Sequence, residues 1–293
     1  MKSSVIVLSD IDGTLIPHPF LSGVSTEAKG EDVMRMFALF EHKNFGLVTG
    51  RRKVGFERFF REYPLSERLP AFLAVEFATH VAVLGKWVVQ RIQNESVAKL
   101  MRELNERVSA QSEFCVGHDL GAALNRGWFD TYFLEEKTLC AQIEGHFPDP
   151  ALLRRYFSFV EGILNPYTVG ANGLAVQSFP SMGRIDVLEP GFVPKSGFWP
   201  VIEAHREALN LAPDAELTVV ALGDEHYDSY MFRYLKEELG ERFRGVITVS
   251  VGHVLNYATH KCPNTRSALS FVEKVLSEGL VRDSFLEDLE AVG

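Results

Sequence analysis

Ser9-Asp10-Ile11-Asp12-Gly13-Thr14 follows the apolar run Val5-Ile6-Val7-Leu8. The run reads as a buried strand that delivers two carboxylates and then turns at a glycine. Asp10 and Asp12 are two apart, so extended backbone would set both side chains on one side. Two close carboxylates repel and need a shared proton or a cation to coexist. A hard divalent ion held by few carboxylates, with room for a phosphate oxygen, meets that need. One Asp can then attack phosphorus while the other handles the leaving-group proton. Taken alone, the stretch also reads as an acid-rich turn that closes a strand.

Other stretches carry related chemistry. Thr49-Gly50-Arg51 follows Phe45-Gly46-Leu47-Val48. Thr49 can hydrogen-bond a phosphate oxygen while Gly50 lets backbone amides approach it; alternatively, Thr49 caps the next helix. Gly223-Asp224-Glu225-His226-Tyr227-Asp228 follows the apolar run 217–222. Asp224 is the natural metal ligand there, and Asp228 a holder for Lys195 or a metal-bound water. The alternative is a helix start enriched in acids for dipole reasons. Lys195, between Pro194 and Ser196, can neutralise a phosphate or the attacking carboxylate. Asp10, Asp12, Thr49 and Asp224 all fall at C-terminal ends of expected parallel strands, the edge where open α/β sheets bind ligands.

The elements that position these groups are legible in the apolar spacing. Strand 5–8, a helix carrying Val33, Met36, Phe37 and Phe40, and strand 45–48 form a parallel crossover. A helix stopped by Pro64 and a strand over 71–75 follow. The middle of the chain has a different texture. Asn94 caps a helix carrying Val97, Leu100, Met101, Leu104 and Val108. Asp149-Pro150 opens another. Strands are expected over 128–134, 167–179 and 184–188, with turns at Asn172-Gly173 and Met182-Gly183. After Lys195 the parallel pattern resumes, with strands over 217–222 and 245–251, intervening helices and a closing helix around Ala268, Phe271, Val272 and Val275. The acidic tail after Val281 reads as a loose final helix. The expected fold class is α/β: a Rossmann-like parallel-sheet core from 1–84 and 190–293, interrupted by an α+β insertion over 85–189.

Of 293 residues, 46% are hydrophobic and 24% charged, as in a soluble globular protein. The net charge of −9 argues against nucleic acid or an anionic membrane as the main partner. A phosphorylated small molecule remains compatible, because a local cation and a lysine outweigh the global field. Cys115, Cys140 and Cys262 are odd in number and fit neither zinc nor redox spacing, which points to buried thiols in a reducing compartment. No leader pattern and no run of membrane-spanning length are present, so a cytoplasmic location is expected. The oligomeric state stays open.

Asp10-x-Asp12-Gly13-Thr14, Thr49, Lys195 and Gly223-Asp224-x-x-x-Asp228, in this order, resemble the haloacid dehalogenase superfamily of phosphohydrolases. The resemblance implies attack of a carboxylate on a phosphate ester, an aspartyl-phosphate intermediate and assistance by Mg²⁺. It implies Asp10 as nucleophile and Asp12 as general acid and base. The metal would be held by Asp10, the main-chain carbonyl of Asp12, and Asp224. Thr49, Gly50 and Lys195 would grip the phosphate, with Asp228 and Glu225 in support. The long segment between Thr49 and Lys195 resembles a type 2 cap of the subtype found in sugar-phosphate phosphatases. Gly223 to Phe232, Leu188-Glu189-Pro190-Gly191 and Val249-Ser250-Val251-Gly252 are similar to stretches of trehalose-6-phosphate phosphatases. Glu225 in place of a second Asp, and Pro194-Lys195-Ser196 in place of Lys-Gly, depart from that pattern. The implied substrate is trehalose 6-phosphate or another glycosyl phosphate such as sucrose phosphate. A phosphomutase of the same fold is the nearest rival, and a phospho-receiver or binding protein a more distant one. Candidates for reading the sugar are Arg51, His118, Arg126, Trp128, Asn172 and Arg184. Glu76 and His80 are candidates for the seam beside the insertion.

Overall fold

The computed structural model describes residues 2–17, 26–62, 69–114, 131–147, 149–170, 173–179 and 183–292. The chain divides into one unit made of Met1–Gln90 with Val193–Gly293, and a second made of Arg91–Phe192. The first unit opens with β1 (Val5–Ser9), α1 (Thr26–Ala38), β2 (Phe45–Val48), α2 (Lys53–Glu62), β3 (Phe72–Val75), β4 (His80–Val83) and β5 (Lys86–Gln90). The inserted unit carries α3 (Glu95–Ser109), β6 (Thr131–Glu136), β7 (Cys140–His146), α4 (Pro150–Thr168), β8 (Ala175–Phe179) and β9 (Arg184–Leu188). The first unit resumes with α5 (Trp199–Ala204), β10 (Thr218–Gly223), α6 (His226–Arg233), β11 (Gly245–Val251), β12 (His260–Cys262), α7 (Thr265–Glu278), α8 (Asp283–Leu286) and β13 (Glu290–Ala291).

In the first unit, nine strands form one sheet in the order β13-β12-β11-β10-β1-β2-β3-β4-β5. Its centre is parallel: β1 pairs with β10 on one side and β2 on the other. Every residue of β1 is buried, as a strand covered on both faces requires. Its alternate residues feed two separate cores. Val5 and Val7 pack with Met36 and Phe37 of α1 and Val272 and Val275 of α7. Ile6 and Leu8 pack with Trp199 and Ile202 of α5 and Met231 and Phe232 of α6. This period of two on a continuously apolar strand is what makes the sheet a three-layer sandwich.

The antiparallel hairpins β3-β4-β5 extend the sheet beyond the expected third strand. The domain boundary therefore lies after Gln90, past the expected break at 84, and the chain returns at Val193 rather than 190. Neither β4 nor β5 was expected. β4 is buried throughout, like β2 and β3, whereas β5 alternates between exposed and half-buried residues and carries no apolar run. The short strands β12 and β13 also went unforeseen; β13 follows α8, the short final helix of the acidic tail.

The inserted unit is α+β. Its sheet is antiparallel, ordered β6-β7-β9-β8. Helices α3 and α4 cover one face, burying Val97, Leu100, Leu104, Tyr156, Val160 and Ile163 against Ile143, Ile185 and Val187. Asn94 caps α3 by accepting from the Val97 amide at 3.1 Å. Asp149 caps α4 by accepting from Ala151 at 2.8 Å, with Pro150 in the first turn. The strand expected from 167 begins instead at Ala175, because Tyr167 and Thr168 complete α4. The Tyr167 hydroxyl anchors that last turn by donating to Glu103 at 2.8 Å. The expected strand over 128–134 appears as β6; residues 128–130 and the turn residues Asn172 and Met182 lie outside the described residues. Cys140 and Cys262 are buried, and Cys115 lies outside the described residues. Among the described residues, no helix is long and apolar enough to cross a membrane.

Candidate active site

Parallel pairing brings the acids together. Ser9 of β1 stands opposite Leu222 of β10, so the chain leaves both strands side by side. The Asp10 amide continues the ladder by donating to the Leu222 carbonyl at 3.0 Å. Beyond this point β1 ends and the chain turns. The extended backbone that would set Asp10 and Asp12 on one side therefore stops short of Asp12.

Two glycines make room for the acids. Gly13 has φ +75°, and a Cβ there would lie 2.0 Å from Oδ2 of Asp224. At Gly223 a Cβ would lie 2.2 Å from the Asp228 side chain. Thr14 fixes Asp224 by donating from Oγ1 to Oδ1 at 2.7 Å. Asp228 Oδ2 accepts from the amides of Asp224 and Glu225, each at 3.0 Å, so the start of α6 satisfies one of its oxygens. Asp228 Oδ1 takes the Lys195 ammonium at 2.6 Å, and the same ammonium stands 3.0 Å from Oδ1 of Asp10. All three side chains are buried.

The electrostatics of this cluster are unbalanced. The Asp10 carboxyl is raised to about 7: burial pushes it up most, Lys195 pulls it down, and Asp228, Asp12 and Glu225 add to the rise. Asp224 is raised to about 9, by burial first and then by Asp10 and Asp228. Asp228 is raised too, by burial, against the pull of Lys195. The Lys195 ammonium is favoured: burial opposes it, and the adjacent Asp10 and Asp228 carboxylates outweigh burial. One lysine does not neutralise three acids, of which Asp10 and Asp228 are buried and Asp224 is half-buried. Oxygens of Asp10, Asp224 and Asp228 lie within 4.8 Å of one another, and every donor is a carboxylate. Such a set fits a hard divalent cation.

Thr49 and Lys195 are tied to one tight turn. Glu76, Phe77 and Ala78 have φ of 51°, 59° and 74°, an unusual left-handed run without glycine. Glu76 donates its amide to the Arg51 carbonyl at 2.9 Å, and Phe77 donates to the Thr49 carbonyl at 3.0 Å. The Phe77 carbonyl accepts from the Lys195 amide at 2.9 Å. Lys195 itself has φ 52°. Gly50 lies under the Phe77 ring, where a Cβ would come within 2.6 Å of the ring edge. Phe77 packs on Tyr227 of α6, with ring centroids 4.6 Å apart. The Glu76 carboxylate accepts from the Lys53 amide at 3.0 Å, at the start of α2. The strained turn thus joins β2, the lysine loop and α6. Glu76 and His80, the candidates for the seam beside the insertion, both belong to the first unit and face each other, Nε2 of His80 lying 3.7 Å from Oε2 of Glu76.

Asp12 goes to Arg51. Nε and Nη2 of Arg51 donate to Oδ2 and Oδ1 of Asp12 at 2.5 and 2.6 Å. The carboxyl cluster within reach of one ion is completed by Asp228 rather than by the Asp12 side chain.

Asp10, Asp12, Thr49, Gly50, Arg51, Lys195, Asp224, Glu225 and Asp228 all belong to the first unit. Arg184 belongs to the inserted unit, where it is buried on β9 and donates from Nε to Asp186 at 2.9 Å. His118, Arg126 and Trp128 lie outside the described residues, as does Asn172. Sequence reasoning missed the hydrogen bond of Thr14, although Thr14 ends the opening motif. It also missed the left-handed turn, for which 76–78 give no glycine signal.

No family model and no curated protein matches the chain. Solved structures do. A trehalose-6-phosphate phosphatase related protein matches with TM-score 0.58 and 15% identity, over 94% of this chain and 98% of its own. The C-terminal domain of the C. albicans trehalose-6-phosphate phosphatase matches with TM-score 0.58 and 19% identity, over 96% of this chain and 93% of its own. The C-terminal domain of the Candida albicans trehalose synthase regulatory protein matches with TM-score 0.60 and 13% identity, over 93% and 94%. In fold, the chain is an α/β core with an α+β insertion, shared with these three structures over nearly its whole length.

Proposed function

We propose that the chain is a divalent-cation-dependent phosphatase acting on a sugar phosphate, with a disaccharide phosphate such as trehalose 6-phosphate as the leading class. The observation that carries this reading is the meeting of Asp10, Asp224, Asp228 and Lys195 in one largely buried cluster at the C-terminal edge of the sheet. The fold shared with the C. albicans phosphatase domain supports it.

In this reading Asp10 attacks phosphorus, and the bond from phosphorus to the sugar oxygen breaks. Asp12 gives a proton to that oxygen, leaving an aspartyl phosphate. Asp12 then takes a proton from water as the water oxygen attacks phosphorus, and phosphate leaves with Asp10 regenerated. Lys195 offsets charge at Asp10 and at the phosphoryl oxygens, and Thr49 with the amides around Gly50 holds those oxygens. Held by Asp10, Asp224 and the main-chain carbonyl of Asp12, Mg²⁺ would supply the positive charge that keeps Asp10 ionised and offsets the phosphoryl oxygens. Asp228 positions Lys195, and Glu225 supports the start of α6. The inserted unit acts as a cap that chooses the leaving group, with Arg184, His118 and Arg126 as candidate contacts.

The test is a phosphate-release screen over mono- and disaccharide phosphates, with and without Mg²⁺. Release that needs Mg²⁺ and is abolished in a folded Asp10→Asn variant is the expected result. Phosphate migration within the sugar that requires a bisphosphate activator would mark a mutase instead. Release unchanged in Asp10→Asn would reject the nucleophile.

A further inference from the structure

We propose that Arg51 is the positioning residue for Asp12, aiming its carboxyl at the leaving-group oxygen; the inference rests on the phosphatase reading above. Arg51 makes a two-point fork with both oxygens of Asp12, at 2.5 and 2.6 Å. A guanidinium fork fixes the plane of a carboxyl group as well as its place, which a lysine cannot do. The backbone that launches Arg51 is itself held at both ends. Its amide donates to Thr49 Oγ1 at 3.2 Å, and its carbonyl accepts from Glu76 at 2.9 Å. Asp12 needs such a support, because it lies past the end of β1, in a turn that opens at Gly13. Both side chains are half-buried, at 24% and 18% exposure, so the pair can be reached by a substrate. A half-exposed ion pair contributes little to folding, which leaves orientation as its main consequence.

The experiment measures kcat and KM for wild type, Arg51→Ala, Arg51→Lys and Asp12→Asn on p-nitrophenyl, phenyl and p-methoxyphenyl phosphate with Mg²⁺. A good leaving group departs without a proton donor; a poor one needs it. Because proton transfer by a placed side chain is worth roughly 10²–10⁴-fold, losing its aim should cost part of that. Arg51→Ala should lower kcat on p-methoxyphenyl phosphate roughly tenfold more than on p-nitrophenyl phosphate, with Asp12→Asn steeper in the same direction. Arg51→Lys should recover only part of the loss; it also carries the comparison if Arg51→Ala does not fold. An equal loss across the three esters would overturn the proposal while leaving the phosphatase reading intact. So would a loss confined to KM with weaker inhibition by orthovanadate, which would place Arg51 on the phosphoryl group. A wild type that releases no phosphate from these esters or from the sugar phosphates, with and without Mg²⁺, would remove the reading and the proposal together.

Discussion

Lys195 and Asp228 form a fully buried ion pair, Nζ to Oδ1 at 2.6 Å, whose lysine also faces Asp10 at 3.0 Å. The second oxygen of Asp228 is satisfied by two backbone amides at the start of α6. The pair is therefore a staple between the lysine loop and α6 as well as part of the site. Removing one partner of a buried pair leaves an uncompensated charge, which typically costs about 3–5 kcal/mol. Lys195→Met is expected to lose that order of stability in urea unfolding, and Lys195→Met with Asp228→Asn to regain part of it. A single variant within about 1 kcal/mol of wild type would show that water or a proton already relieves the charge.

The raised carboxyls give the metal-free protein a definite pH response. Asp10 and Asp224 are raised to about 7 and about 9, against an ordinary value of 3.8. The folded state thus binds these protons more tightly than the unfolded state. Their contribution to stability is complete below the ordinary carboxyl value and is lost as pH rises through about 7 and then about 9. In the presence of EDTA the melting temperature should fall between pH 5 and 9 relative to an Asp10→Asn, Asp224→Asn control. Mg²⁺ should reverse the fall, and its stabilising effect should grow with pH, because it competes with those protons. A melting temperature indifferent to Mg²⁺ at pH 8 would argue against a cation among these carboxylates.

Gly13 offers a test of packing around the acids. An alanine there would suffer a left-handed φ of +75° and a Cβ 2.0 Å from Asp224 Oδ2. Left-handed backbone alone costs about 1–2 kcal/mol for a residue with a Cβ. Gly13→Ala should therefore lose more than that, and should lower phosphate release by displacing Asp224. Stability reduced with full activity retained would mean that Asp224 tolerates displacement.

The central fold was readable because β1, β2, β10 and β11 are apolar runs, the first three of them ending at a chemical motif. Their parallel pairing then placed Asp10 beside Asp224 without further information. What escaped reading depends on contacts between segments distant in sequence. Asp12 could be assigned a role from its motif, but its partner Arg51 is set by how β2 lies against β1. The strand expected from 167 failed because Tyr167 finds its partner, Glu103, on another helix, which extends α4. β5 was missed because an edge strand with a solvated face needs no apolar run, and β4, although buried, because the turn at 76–79 that separates it from β3 contains no glycine or proline to mark it.

The turn at 76–78 gave the least warning and carries the last test. Three left-handed residues without a glycine store strain that the surrounding hydrogen bonds hold in place. Ala78 has the largest φ of the three, 74°. Replacing it with glycine relieves about 1–2 kcal/mol of left-handed strain and gives back about 0.5–1 kcal/mol through the freer unfolded chain. Ala78→Gly should therefore raise the melting temperature by a few degrees. It should leave phosphate release unchanged, because the amide and carbonyl of Phe77 that tie Thr49 to Lys195 are untouched. Ala78 packs at the margin of the core beneath α5 and α6. A lower melting temperature in the variant would mean that the packing of its methyl group outweighs the relief of strain. A lower activity would mean that the strain itself holds Lys195 against Asp10.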